Sequence, residues 1–484
     1  MNIKKLVLKD FRCFDEFEIE FDQQYNVHAV VAENMLGKSA IMGALKLAAN
    51  TYTSGLQSES QQLQQSDHRV IGNNPLSDIA TDVSVQVTAD IVDVGSNTVE
   101  CIWKKYQDKP KGGRTKIQVI QGINPQIISK NVNREVAEKS GIQPLMSFVG
   151  TEYIHVPPSL PIAWDLIGKS IDGYLGCFAN KSIQRFLFRW IERIDGIISE
   201  MGRKPLIAET YKNIPHDAMA VFKKAVVSVL EDIVEIDWSV DAKQPIVRFE
   251  NGDIRLFSML SDGYRYLILL AGELATRSFI LNKHLGITVL EKVHGLVIID
   301  EFGIHLHPSL QNNAMIRLCQ TFPNVQFIIS THSPLLLNGF KKEQVHILSI
   351  NKDGKRTATH PDEDIVGLGA NEILTKIFGL PTTMDHQFLE WNDEYTALFK
   401  KKSEQELSSG EMERFKELSE RLAPLRLDPE LKLTIEDPIT TIVKEQLESR
   451  ANEVVFSISD HKALSGDIEK RVGNILESFF KPSE

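Results

Sequence analysis

The sequence predicts an α/β protein: a mostly parallel sheet carrying a phosphate-binding loop, an antiparallel side sheet, a helical lobe and a C-terminal helical extension. Three observations predict it. An unbroken apolar run, Leu296 to Ile299 behind Gly295, ends on two carboxylates, Asp300 and Glu301. The strand-like YNVHAVVA runs directly into Ala32-Glu33-Asn34-Met35-Leu36-Gly37-Lys38-Ser39, with a helix following at Ala40–Ala49. Three further strand candidates, VSVQVTADIVDV, TVECIWKKY and TKIQVIQGI, follow one another as an antiparallel set would.

The apolar run lacks polar alternation, which suits a central parallel strand covered on both faces. Its carboxyl end then emerges where open α/β sheets bind ligands. Adjacent acids there repel each other unless a cation lies nearby. In nucleotide-hydrolysing sheets the first acid holds Mg2+ through its water shell and the second activates a water. Taken alone, the stretch equally fits a buried strand ending in a solvated acidic turn.

Strand, loop, Gly-Lys-Ser and helix together form the context that gives a P-loop match meaning. Asn34, Gly37, Lys38, Ser39 and Ala40 are the candidate cradle: amides at a helix start face phosphates, Lys38 reaches the β- and γ-phosphates, and Ser39 ligands Mg2+. The pattern's first glycine is replaced by Ala32, and Met35 occupies the tight bend, where a positive φ would be strained.

With 484 residues, 42% hydrophobic and 25% charged, the chain has ordinary globular composition, enough for one main domain and a smaller lobe. A net charge of −11 argues against coating of nucleic acid by the whole surface, but not against a local basic groove. Cys13, Cys101, Cys177 and Cys319 match no metal-ligand spacing and fit reduced thiols in a cytoplasmic protein. No run approaches the length of a membrane span.

In chain order, KLVLKDF and DEFEIEF read as strands ahead of YNVHAVVA. Residues 54–77, rich in Gln, Ser and Asn, read as a mobile surface loop. Between the last two side-sheet strands, Lys104, Lys105, Lys109, Lys111, Arg114 and Lys116 surround Gly112-Gly113; this basic turn is a candidate for phosphate-backbone contact, and equally a solvated hairpin tip. FVGTEYIHVPP is strand-like, and residues from about 161 to 236 read as largely helical. PIVRFENGDIRLF is a hairpin turning on Asn251-Gly252. Ser261 and Gly263, in LSDGYR, open a strongly apolar helix and either donate to an anion or form a plain N-cap. His305, His307 and His332 offer too few suitably placed ligands for zinc; His305 and His307 read as shaping the turn before Pro308.

Together, and in this order, AENMLGKS, LSDGYR, VIIDEFGIHLHP and FIISTHSP resemble the motif set of ABC-type ATPase heads of the RecF and SMC-like group. Phe11-Arg12 resembles the short element that opens such heads. The resemblance implies ATP and Mg2+ as ligands, with Ser261 and Gly263 as the signature segment. It implies Asp300 and Ser39 on the metal, Glu301 as catalytic base, His332 as the switch histidine that senses the γ-phosphate, and Arg12 near the adenine. The glutamine that such heads place before the helical lobe has no counterpart, because Tyr153–Pro158 occupies that place without one. The implied organisation is a head over 1–384, with a helical lobe at about 161–290, and a tail over 385–484. One copy of each motif implies a head-to-tail dimer in which each signature segment completes the partner's site.

Asn371-Glu372-Ile373-Leu374 and Phe378-Gly379-Leu380-Pro381 resemble the PtuA-type ATPases of Septu and retron antiphage defence. In the tail, Phe388, Trp391, Tyr395 and Leu398 form one stripe, and Met412, Phe415, Leu418 and Leu422 another, separated by a capping box from Ser408 to Glu411. The resemblance implies that this region assembles the oligomer and receives an HNH nuclease subunit of the PtuB type. No nuclease site of the chain's own is evident: VVFSISD near Asp460 lacks a second aspartate, and the Glu-x-Lys triplet at Glu430 is of a kind frequent by chance. The expected function is an ATP-binding switch and slow ATPase controlling a separate nuclease. The alternatives are a DNA-repair ATPase that binds DNA when ATP is bound, and a transporter's cytosolic subunit.

Overall fold

The computed structural model describes residues 1–426 except 34, 57–59, 73, 75–77, 111–112, 139, 152–168, 180–183 and 405–406. By its contacts the chain divides into two units, Met1–Pro381 and Thr382–Glu484.

The first unit begins with strands β1 (Asn2–Phe11), β2 (Phe14–Glu20) and β3 (Val27–Ala32), then helix α1 (Lys38–Thr53). Strands β4 (Val83–Val92), β5 (Thr98–Gln107) and β6 (Lys116–Gln121) complete an antiparallel sheet in the order β2-β1-β4-β5-β6, the side sheet that the alternating pattern predicts. Helix α2 (Pro125–Ala137) and strand β7 (Leu145–Val149) follow, then α3 (Gln184–Met201), α4 (Pro205–Tyr211) and α5 (Ile214–Val229). Strands β8 (Ile233–Ser239), β9 (Gln244–Phe249) and β10 (Ile254–Leu256) make a small antiparallel sheet ahead of α6 (Asp262–Leu281) and α7 (Val289–Lys292). The unit ends with β11 (His294–Ile299), α8 (Pro308–Thr321), β12 (Asn324–Ser330), β13 (Val345–Ile350), β14 (Arg356–Thr359) and α9 (Ala370–Lys376).

The main sheet has the order β14-β13-β3-β12-β11-β7, parallel throughout except at β14. Successive side chains of a strand face opposite ways, so this sheet serves two cores at once. Val27, Ala29, Val297, Ile299, Phe327 and Ile329 face the core built with α3, α5, α6 and α8. Val30, Ala32, Leu296, Ile298 and Ile328 face the core shared with α1 and the side sheet. Both faces being dry explains why Leu296–Ile299 of β11 reads as an unbroken apolar run.

Several expectations are corrected. Residues 54–77, where described, do not lie wholly on the surface. Leu63, Asp67 and His68 are buried, and Gln61 N–H bonds Asn50 Oδ1 (2.6 Å), Leu63 N–H bonds Thr115 Oγ1 (2.8 Å) and His68 bonds Ala80 O and Gln107 Oε1. Polar groups that composition counts as solvent-seeking here find side-chain and backbone partners inside the protein. The helical reading to about 236 stops short, since β8 begins at Ile233 and extends the Asn251-Gly252 hairpin to three strands. Helix α2, with Asn124 as its N-cap accepting from Gln126 N–H, was not expected. Nor is the basic turn uniformly outward. Lys105 is 1% exposed, with Nζ bonded to Gln61 O (3.1 Å) and Asn50 Oδ1 (3.3 Å), while Lys116 pairs with Asp108 at 2.7 Å. Lys111 and Gly112 lie outside the described residues.

The second unit is described as α10 (His386–Glu404) and α11 (Ser409–Arg426). Phe388, Tyr395, Leu418 and Leu422 bury against one another, with Tyr395 and Phe415 stacked at 5.0 Å, so the two stripes pack together. The capping box forms: Glu411 accepts from Ser408 N–H at 3.0 Å, and Glu411 N–H reaches Ser408 Oγ at 3.4 Å. Met412 stands 42% exposed and is not part of the buried stripe. The segments around Glu430 and Asp460 lie outside the described residues. No helix among the described residues is long and apolar enough to cross a membrane.

Candidate nucleotide site

Three adjacent strands, β3, β12 and β11, run parallel and nearly in register, Val30 beside Ser330 and Ile329 beside Ile299. Their carboxyl ends therefore deliver the P-loop, the Ser-Thr-His turn and the acid pair to one edge of the sheet.

On the P-loop, Gly37 has φ 109° and a side chain there would meet Cys13 Sγ at 2.6 Å and Phe14 Cζ at 2.7 Å. Both the left-handed backbone and the lack of space require glycine. Met35 also has positive φ, 67°, with its side chain 93% exposed, a conformation costing on the order of 1 kcal/mol for such a residue. Ala32, where the loop pattern has its first glycine, is still inside β3 and buried. Asn34 lies outside the described residues. The Lys38 ammonium bonds Ala32 O at 2.9 Å and Glu33 O at 3.2 Å. Burial lowers its pKa, opposed by Glu301 and Asp300, so both acids act on this lysine. Ser39 is exposed on the first turn of α1, whereas Ala40 is buried and its N–H bonds Gly37 O at 3.0 Å.

The acid pair is held from two sides. Asp300 N–H bonds Val149 O at 2.8 Å, and Glu301 N–H bonds Ser330 Oγ at 2.8 Å. Ser330 Oγ in turn donates to Asp300 Oδ1 at 2.6 Å. Glu301 is left-handed, φ 57°. His332, two residues beyond β12, has its pKa lowered by partial desolvation and by Lys38, opposed by Glu301 and Asp300. Lys38, Asp300, Glu301 and His332 therefore share one electrostatic neighbourhood.

Gly263, on the first turn of α6, sits against the turn that follows the acids. A side chain on Gly263 would meet His305 O at 3.1 Å and Leu310 Cδ1 at 3.2 Å, so glycine lets α6 close onto that turn. Ser261 is exposed and its hydroxyl caps none of the free amides of α6, which removes the plain N-cap as an account of that serine. His307 caps α8 through Ser309 N–H at 3.3 Å, and the His305 ring lies 6.1 Å from Tyr266, which fits a turn-shaping part for both histidines.

Arg12 turns the β1–β2 hairpin at φ 51° and lies over α1, where a side chain on Gly43 would meet its guanidinium at 3.3 Å. Its Nε bonds Asp67 Oδ1 at 2.9 Å. Sequence reasoning missed Asp67, which nothing in a Gln- and Ser-rich stretch distinguishes. It also missed Ser330, whose signal was visible as a hydroxyl ending an apolar strand. Tyr153–Pro158 lie outside the described residues.

The donor set fits Mg2+. One carboxylate, Asp300, and one exposed hydroxyl, Ser39, are hard oxygen ligands that leave the remaining positions to water and phosphate. Among the described residues no group of His, Cys, Asp or Glu forms a protein-only cage.

Residues 5–185 match the family model described as AAA domain. The retron Vc95 probable ATPase of Vibrio cholerae serotype O1 biovar El Tor is 30% identical over 247 residues, 48% of this chain and 46% of the relative. The Septu protein PtuA of Bacillus mycoides (strain KBAB4) is 34% identical over 163 residues, 34% of this chain and 22% of the relative. The chain thus spans about half, or less, of the length of these relatives. Among solved structures, the SMC head domain from Thermotoga maritima aligns with TM-score 0.40 and 14% identity over 74% of this chain and 99% of that one.

Proposed function

We propose that this chain, an AAA-domain protein related to the Septu PtuA and retron ATPases, is an ATP-binding switch and ATPase of an antiphage defence complex. It would control a separate HNH-type nuclease through nucleotide-dependent pairing of two heads. The convergence of Lys38, Asp300, Glu301 and His332 at one sheet edge carries this reading.

In it, Gly37 and the amides opening α1 cradle the phosphates, with Asn34 and Ala40 on the same loop, and Lys38 leaves its carbonyl partners to neutralise the terminal phosphates. Asp300 and Ser39 would hold Mg2+, whose charge would offset that developing on the phosphoryl group. Glu301 accepts the proton of the attacking water, and His332 donates to the γ-phosphate. Arg12, steadied by Asp67, packs beside the base. Ser261 and Gly263 complete the site of a second copy, and the exposure of the Ser261 hydroxyl supports that assignment. The tail, comprising α10, α11 and the residues beyond, would assemble the oligomer and receive the nuclease; the head would extend to about residue 384.

Single-turnover ATP hydrolysis tests the reading. Glu301→Gln should slow turnover at least 100-fold, the span expected for loss of a general base, while retaining nucleotide. Equal rates in both proteins would reduce the chain to a nucleotide binder. Ser261→Arg should abolish ATP-dependent dimers in light scattering, and dimers that persist unchanged would exclude the composite site.

A further inference from the structure

Ser330 is the last residue of β12 and is fully buried. Its hydroxyl contacts both members of the acid pair, accepting from Glu301 N–H at 2.8 Å and lying 2.6 Å from Asp300 Oδ1. Its carbonyl accepts from Phe302 N–H at 2.8 Å. One residue thus bonds three consecutive positions of the neighbouring loop.

The direction of these bonds follows from chemistry. A backbone N–H only donates, so towards Glu301 the serine oxygen must accept. Towards Asp300 the hydroxyl donates, to Oδ1. The carboxylate is held in one rotation, with Oδ1 occupied and Oδ2 left for other partners. The same oxygen secures the amide of Glu301, a non-glycine residue at φ 57°, and so helps to hold a backbone conformation that is unfavourable in isolation.

We propose that Ser330 is a positioning residue for the metal and water sites. Through one hydroxyl it sets the rotation of Asp300 towards Mg2+ and the backbone placement of Glu301. This rests on the nucleotide-site reading above. A group that orients a metal ligand typically contributes tenfold to 100-fold in metal affinity when removed.

The test uses Mn2+ as the probe, with its affinity for the protein–ADP complex read by electron paramagnetic resonance, beside metal-free binding of a fluorescent ADP analogue. Ser330→Ala should weaken Mn2+ by about tenfold while changing metal-free nucleotide affinity less than about twofold, and Ser330→Thr, which keeps the hydroxyl, should restore most of the Mn2+ affinity. Thermal melting of each variant verifies folding. Unchanged Mn2+ affinity in a folded Ser330→Ala protein, or equal loss in Ser330→Thr and Ser330→Ala, would overturn the assignment while leaving the nucleotide reading intact. Failure of the unmutated chain to bind ADP at all would overturn both.

Discussion

Arg12 and Asp67 meet at 2.9 Å although the sequence separates them by 55 positions. A second bond, Arg12 N–H to Asp67 O at 2.8 Å, joins the same residues through the backbone, and Gln64 N–H occupies the other oxygen of Asp67 at 2.9 Å. The arginine is thereby steered over α1 by a segment anchored on the side sheet through Lys105, Gln107 and Thr115.

Asp67→Ala should weaken ATP by about threefold to tenfold, as expected for a charge-assisted bond whose arginine is 39% exposed. Titration with a fluorescent ATP analogue measures it. An affinity equal to that of the unmutated chain would show that Arg12 does not act on the nucleotide.

Inside α6, Arg277 and Glu273 form an ion pair at 2.6 Å with both side chains at most 3% exposed. Arg277 also donates to Gly173 O and Leu175 O. Removing one partner strands a buried charge, so Arg277→Met should destabilise the fold by about 3–5 kcal/mol, and adding Glu273→Gln should recover part of that loss. Chemical denaturation of the single and double variants measures the coupling.

His28 is buried beside His346, ring nitrogens 3.3 Å apart, with the His360 ring tilted against His346 at 4.8 Å and Phe21 edge-on to both His28 and His346. Burial holds the His28 pKa down at about 4, against weaker opposition from the backbone of Tyr25 and Asp22. The folded state keeps this ring neutral while the unfolded chain protonates it near 6.5. Stability is therefore complete above pH 6.5 and lost as pH falls towards 4, by on the order of 3 kcal/mol from this residue. His28→Gln should flatten the melting temperature between pH 6.5 and 4, and an unchanged slope would assign the acid lability elsewhere.

Lys105 has the same sense in a higher pH window. Burial lowers its pKa to about 7, so between pH 7 and its unfolded value the unfolded chain binds more protons and stability rises with pH. The melting temperature of Lys105→Met relative to the unmutated chain should be most favourable below pH 7 and decline steadily towards pH 10. A difference independent of pH would mean that the ammonium is not desolvated.

The sequence by itself determined the elements whose signals are local. The apolar run of β11, the alternation of β4 and β5, and the Gly37-Lys38-Ser39 step into α1 each carry their structure within a few residues, because strand faces and helix starts are set by neighbours along the chain. The tertiary structure alone decided which polar groups lie inside. Asp67, His68 and Lys105 sit in segments whose composition favours solvent, and they are buried because partners distant in sequence supply their hydrogen bonds. It likewise decided that Ser330 bonds Asp300 and Glu301, a consequence of β12 lying in parallel register beside β11, which no single stretch of sequence encodes.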